Sequence, residues 1–223
     1  CWLVGFVNAE KAHVEIDCRP IQLALPEGYQ MVKLLIPIAS AALLLLSLET
    51  VAAGPPAEAL SLPCNGCHGP NGVSQGGSIP SIAGMNAEYM TAAMVQFKEG
   101  RRGATIMNRI AKGYKDYELR KIARYFSSKE WGAVPSSQKE ALVSRGQKLH
   151  EQYCAECHED SGRQQDKDVP RIAGQRHGYL QIQLKLYYEG KEELPQPSEM
   201  AEKLAEIPKD DLPALSAFYS VVP

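Results

Sequence analysis

Between Asp116 and Ser127 the apolar residues Leu119, Ile122, Ala123 and Phe126 return at three- and four-residue spacing, which predicts an amphipathic helix. Residues 87–98 and 178–188 carry similar faces and run into Gly100 and Gly190, residues suited to a helix stop. Residues 140–153 place Leu142, Val143, Leu149 and Tyr153 at mixed helical spacing. No stretch alternates as a strand would, so the pattern predicts an all-α chain. Upstream, residues 34–48 form an unbroken apolar run after Met31-Val32-Lys33 and before Val51-Ala52-Ala53. The run is shorter than the about 20 residues that a bilayer span needs. A short basic start, an apolar middle and a small-residue exit predict a cleaved secretory signal over residues 31–53 rather than an uncleaved anchor. Met31 is taken as the start, which makes residues 1–30 an upstream reading-frame extension and leaves Cys1 and Cys18 without a role. The expected location is the periplasm, with no stable membrane span in the mature chain.

The remaining 54–223 repeats itself. Shifted by 90, Cys64, Cys67 and His68 fall on Cys154, Cys157 and His158. The segment Pro80-Ser81-Ile82-Ala83-Gly84 falls on Pro170-Arg171-Ile172-Ala173-Gly174, and Glu99-Gly100 on Glu189-Gly190. Farther on the shift becomes 93, so that Met107 meets Met200, Leu119 meets Leu212 and Tyr125-Phe126 meets Phe218-Tyr219. Two domains are expected, the first with its linker over 54–135 and the second over 136–223, joined near 127–138 where Gly132 and Pro135 lie. Each is small enough for its own core to be marginal, which a bulky apolar cofactor would remedy.

Composition narrows the function. With 44% hydrophobic and 22% charged residues the chain is of ordinary globular type. Lys plus Arg is 24 against 26 Asp plus Glu, so no basic excess points to nucleic acid. The halves differ: residues 54–135 carry ten basic and six acidic residues, residues 136–223 eleven and fifteen.

The chemistry lies in Cys64-Asn65-Gly66-Cys67-His68 and Cys154-Ala155-Glu156-Cys157-His158. Cys-x-x-Cys-His is the spacing of c-type haem attachment. Two thiols three positions apart can add to the two porphyrin vinyl groups, and the adjacent histidine can ligate the iron. A zinc site would bring paired Cys-x-x-Cys units together, and a redox dithiol would need a βαβ setting. Two covalent haems c are therefore expected. Met107 and Met200 are the candidate second ligands, 39 and 42 residues after His68 and His158. Met85, Met90 and Met94 align with Gln175, Leu180 and Leu184 and are expected to pack as core. His177 is the rival ligand in the second repeat, but Ala87 stands at its counterpart, and His150 is expected to pack. Pro80 and Pro170 each follow the motif histidine by 12 residues. Their carbonyls could accept the imidazole Nδ1–H and fix the ring, against the plainer reading of two turn prolines.

Taken together, these features resemble the dihaem cytochrome c family of class I cytochrome c domains, which includes cytochrome c4 and the cytochrome subunits of flavocytochrome c sulfide dehydrogenase. The segment Thr105-Ile106-Met107-Asn108-Arg109-Ile110-Ala111-Lys112-Gly113-Tyr114 resembles the sulfide dehydrogenase subunits in particular, as do Gly146-Gln147-Lys148-Leu149-His150 and Met200-Ala201-Glu202-Lys203-Leu204. The resemblance implies a flavoprotein partner that holds FAD and oxidises sulfide, with the first haem domain nearest the flavin. It implies an external electron acceptor such as a small cytochrome. The chain itself has no Gly-x-Gly-x-x-Gly for a dinucleotide and no mature thiol outside the motifs. It is expected to conduct electrons as a subunit, with no catalytic site of its own. The alternatives are a free-standing cytochrome c4-like shuttle and a dihaem enzyme with one open iron. The basic residues Arg101, Arg102, Arg109, Lys112 and Lys115 near Met107, with apolar Ile106, Ile110 and Tyr114, are the expected docking surface for the flavoprotein.

Overall fold

The computed structural model describes residues 54–134, 136–190 and 194–223, of which Pro55–Pro223 form one unit. The expected upstream extension and signal sequence lie outside the described residues. Among the described residues there is no strand, and no helix is long and apolar enough to cross a membrane.

Nine helices of the described residues carry the argument. The first repeat contains α1 (Ala57–Ser61), α2 (Asn65–His68), α3 (Ala87–Glu99), α4 (Met107–Lys112) and α5 (Asp116–Ser127). The second contains α6 (Glu140–Leu149), α7 (His177–Tyr188), α8 (Ser198–Ala205) and α9 (Leu212–Val221). The Asn86 side chain accepts from Glu88 N and Tyr89 N at the start of α3. Gly100 ends that helix in the left-handed region at φ 76°. Helix α5 buries Leu119, Ile122, Ala123 and Phe126. Its first turn is closed by Glu118, whose carboxylate accepts from Lys115 N at 2.7 Å.

The repetition holds at the level of single backbone bonds. Gly72 O accepts from Ile82 N and Ala83 N, and Gly162 O accepts from Ile172 N and Ala173 N. Gly84 N donates to Phe126 O, and Gly174 N donates to Tyr219 O, both at 2.8 Å. Gly72 and Gly162 have φ of 83° and 84°, and a Cβ on either would strike a core side chain. Each repeat also has its own core. Leu60, Met85, Met90, Ile122, Ala123 and Phe126 form one. The other centres on Leu149, Leu180, Leu204, Leu215, Phe218 and Tyr219. Thus Met85 and Met90 are core residues.

In the second repeat α6 crosses α9 at Gly146. A Cβ there would stand 2.0 Å from Ala214 O and 2.7 Å from Phe218 Cβ. Gly146→Ala gains about 1 kcal/mol of helix propensity. Forcing a packed crossing apart costs ~1–3 kcal/mol, and because the clash is with backbone it outweighs that gain. The variant should melt at lower temperature than the parent, as thermal unfolding followed by circular dichroism will report.

The segment between the repeats is built in rather than loose. Trp131 packs against the first core, and the Arg171 guanidinium lies 4.9 Å from its ring centroid. Two glutamines of the second repeat grip the first. Buried Gln175 accepts from Ser81 N at 2.8 Å and donates to Ser81 O at 2.9 Å. Gln165 accepts from Asn86 N and donates to Gly84 O, both at 2.8 Å. Arg176 Nε donates to Gly76 O at 2.8 Å. Gln175→Ala would strip both partners from the Ser81 backbone. With an unpaired buried group costing about 1–3 kcal/mol, the midpoint of urea unfolding should fall measurably.

Candidate haem sites

In the first repeat Pro63 breaks the helical run, so α1 gives way to a 3₁₀ turn over Leu62–Cys64 and then to α2, which carries the rest of the motif. Cys64 is half-buried against the first core, and Cys67 is exposed. Burial raises the Cys64 thiol above its usual value, chiefly by desolvating the thiolate. His68 is 8% exposed, and its Nδ1 donates to Pro80 O at 2.8 Å. A carbonyl can only accept, so Nδ1 holds the proton and Nε2 is left with a free lone pair. Burial, opposed in part by the bond to Pro80, lowers the His68 pKa. The ring is therefore held neutral and oriented, the form a metal requires.

The second motif is built differently. Residues His150–Cys154 form a turn of π-helix, with Ala155 N donating to His150 O at 2.9 Å. Cys154 is half-buried and Cys157 exposed, as in the first motif. His158 Nδ1, however, is buried without a partner, so the contact expected with Pro170 is not made. The reason lies one residue on. After His68 the chain turns at Gly69, φ 76°, but position 159 is Glu. A glutamate resists that conformation, and the left-handed turn moves to Asp160 (φ 48°) while His158 takes ψ 60°; Ser161 (φ 56°) only repeats Asn71 (φ 55°) of the first motif. Burial, with a smaller contribution from nearby His150, pushes the His158 pKa down to about 4, so this imidazole too is neutral at pH 7.

Met107 opens α4 and Met200 lies in α8, both half-buried, the same helix of each repeat. His177 Nε2 lies 3.3 Å from Ser216 Oγ, and His150 is buried against Phe218 and Tyr219. The rival His177 thus has a partner of its own, and His150 packs in the core as expected. Among the described residues no three His, Cys, Asp or Glu side chains gather to hold a metal ion. The four motif cysteines are free thiols. Unpaired thiols and buried neutral histidines make a donor set that fits covalent haem. Cys64, Cys67 and His68 could hold one, with Met107; Cys154, Cys157 and His158 could hold the other, with Met200.

The residues expected to form the docking surface differ in exposure. Ile106 and Ile110 are 48% and 39% exposed, one turn apart around Met107. Tyr114 instead packs on the first core. Arg102 leaves the basic surface altogether: it is 6% exposed, beside Tyr89, Tyr179 and Tyr187 and over the Phe97 ring. Sequence reasoning missed this burial and the glutamine grip. The signal for Gln175 was present, since its counterpart Met85 is apolar and a polar residue at a core position marks a second contact.

Comparison with known proteins gives four results. A family model for cytochrome c matches residues 143–218. The chain is 49% identical over 71 residues to the cytochrome subunit of sulfide dehydrogenase of Chlorobaculum tepidum, a match covering 32% of this chain and 64% of that one. It is 31% identical over 164 residues to cytochrome c4 of Pseudomonas aeruginosa, covering 70% of this chain and 81% of the relative. The crystal structure of reduced recombinant cytochrome c4 from Pseudomonas stutzeri superposes with a TM-score of 0.66 at 26% identity, covering 75% of this chain and 98% of that one.

Proposed function

Because this chain belongs to the cytochrome c family, with cytochrome c4 as a relative over most of its length and haem c as its covalent cofactor, we propose that it is a periplasmic electron-transfer subunit working with a sulfide-oxidising flavoprotein. Each haem, when bound, supplies one site that reversibly accepts an electron. The chain takes electrons from the partner's FAD at its first repeat and delivers them from its second to an external acceptor such as a small cytochrome. Cys64, Cys67, Cys154 and Cys157 anchor the cofactors. His68 and His158 would bind iron through neutral rings, with Met107 and Met200 as the second protein ligands. Thioether raises the iron potential relative to a second histidine, which favours acceptance from a reduced flavin.

The observation that carries the partner is the 49% identity with a sulfide dehydrogenase cytochrome subunit. The exposed pair Ile106 and Ile110 beside Met107 suits a stable contact, with Arg109 and Lys112 of the same helix steering it. The longer match to cytochrome c4 favours a second reading, a shuttle with no fixed partner. Purification of the native protein separates the two. A stoichiometric flavoprotein carrying FAD supports the subunit. A chain that elutes alone, free of flavin at every salt concentration, supports the shuttle. In the first case Ile106→Asp with Ile110→Asp should abolish co-elution while leaving the haem spectrum intact.

A further inference from the structure

The two repeats agree so closely in backbone that a mismatch at one equivalent pair is informative. In the first repeat Leu60 and Phe126 meet in the core, 8% and 0% exposed, beside Cys64. At the same places the second repeat has His150 and Tyr219, by the register that matches Gly84 N–Phe126 O with Gly174 N–Tyr219 O. Both are buried, at 5% and 2% exposed. His150 Nδ1 lies 2.9 Å from Tyr219 Oη, and the rings meet edge to face with centroids 5.5 Å apart. Cys154, the half-buried attachment cysteine, packs against the same core cluster that contains Tyr219. A hydrocarbon contact beside one attachment site has become a polar, satisfied pair beside the other.

Burying an imidazole and a phenol is costly unless they are paired, and the first repeat folds the same way without them. The pair is therefore not a requirement of the fold. We infer that His150 and Tyr219 are positioning residues that make the second haem site electronically distinct from the first. This rests on one haem being bound in each repeat. Ferric His/Met haem carries one more positive charge than ferrous, so oriented dipoles beside it shift the potential from the value hydrocarbon would give, with a sign set by which end faces the haem. The pair thus sets the second potential apart from the value that an apolar Leu and Phe would give.

The test uses the full-length, haem-loaded protein and reads both potentials by spectroelectrochemical titration. Tyr219→Phe, and His150→Leu with Tyr219→Phe, install the first repeat's own residues at matching positions, so folding is preserved. One potential should shift and the other stay. The reciprocal Leu60→His with Phe126→Tyr should shift the potential that stayed, in the opposite direction. A purely structural role would alter melting and leave the potentials alone. Unmoved potentials, or two that move together, would overturn the inference. A parent protein whose intact mass shows fewer than two haems would overturn the haem assignment on which it rests.

Discussion

A chain with Cys154→Ser and Cys157→Ser should leave the cell with one covalent haem where the parent has two. A thiol adds across a vinyl group to give a thioether, and a serine hydroxyl does not, so the substitution removes the bond-forming atoms and little else. Cys157 is exposed and Cys154 half-buried, so the loss of packing is small. The effect should be confined to the second repeat, because the first attachment site rests on its own core of Leu60, Ile122 and Phe126. Intact-mass spectrometry under denaturing conditions should show one haem mass fewer. The matching change at Cys64 and Cys67 should remove the other. Retention of two haems by either variant would show that the motif is not an attachment site.

Met107→His and Met200→His should each lower the potential of one haem and leave its attachment intact. Axial ligands set haem potentials across a span of ~0.8 V, and exchanging thioether for imidazole moves toward its low end. Both methionines lie on the equivalent short helix of their repeats, half-buried, with a side chain long enough to be replaced by an imidazole. The weak near-infrared band of ferric His/Met haem should fall by about half in each variant, since one of two sites changes. Full strength in Met200→His would leave His177 to be tested as ligand, although Ser216 already stands 3.3 Å from its Nε2.

What the sequence made legible was whatever repeats locally. Helix α5 runs Asp116–Ser127, the span that its spacing predicts, because one face carries Leu119, Ile122 and Phe126 and the other is charged. Gly100 stops α3 because its φ of 76° suits no other residue so well. The link between His68 and Pro80 could be anticipated from a 12-residue spacing, and the ring nitrogen does meet that carbonyl. The same spacing misled at Pro170, where Glu159 replaces a glycine and redirects the turn. Spacing carries a contact only while the intervening backbone conformation is shared. Partners distant in sequence were not legible at all. Gln175 and Ser81 are 94 residues apart: a polar residue at a core position marks that Gln175 has a second contact, but nothing local names Ser81 as the partner. Arg102 sits among basic neighbours and reads as surface, but folding places it beside three tyrosines.

The grip of the second repeat on the first has a consequence for how such a tandem protein can change. Gln175 and Gln165 bind the amide and carbonyl groups of Ser81, Gly84 and Asn86, and Arg176 binds the carbonyl of Gly76. All three holding side chains belong to one copy, and all the groups held are main chain. The held copy can therefore exchange its side chains at these bonds without loosening them, provided its backbone path is kept; Arg102, set beside Tyr179 and Tyr187 of the other copy, is the exception. The holding copy has no such freedom. A duplication that began with interchangeable halves has become a clasp and a band, and drift in their sequences along the joint should be correspondingly unequal.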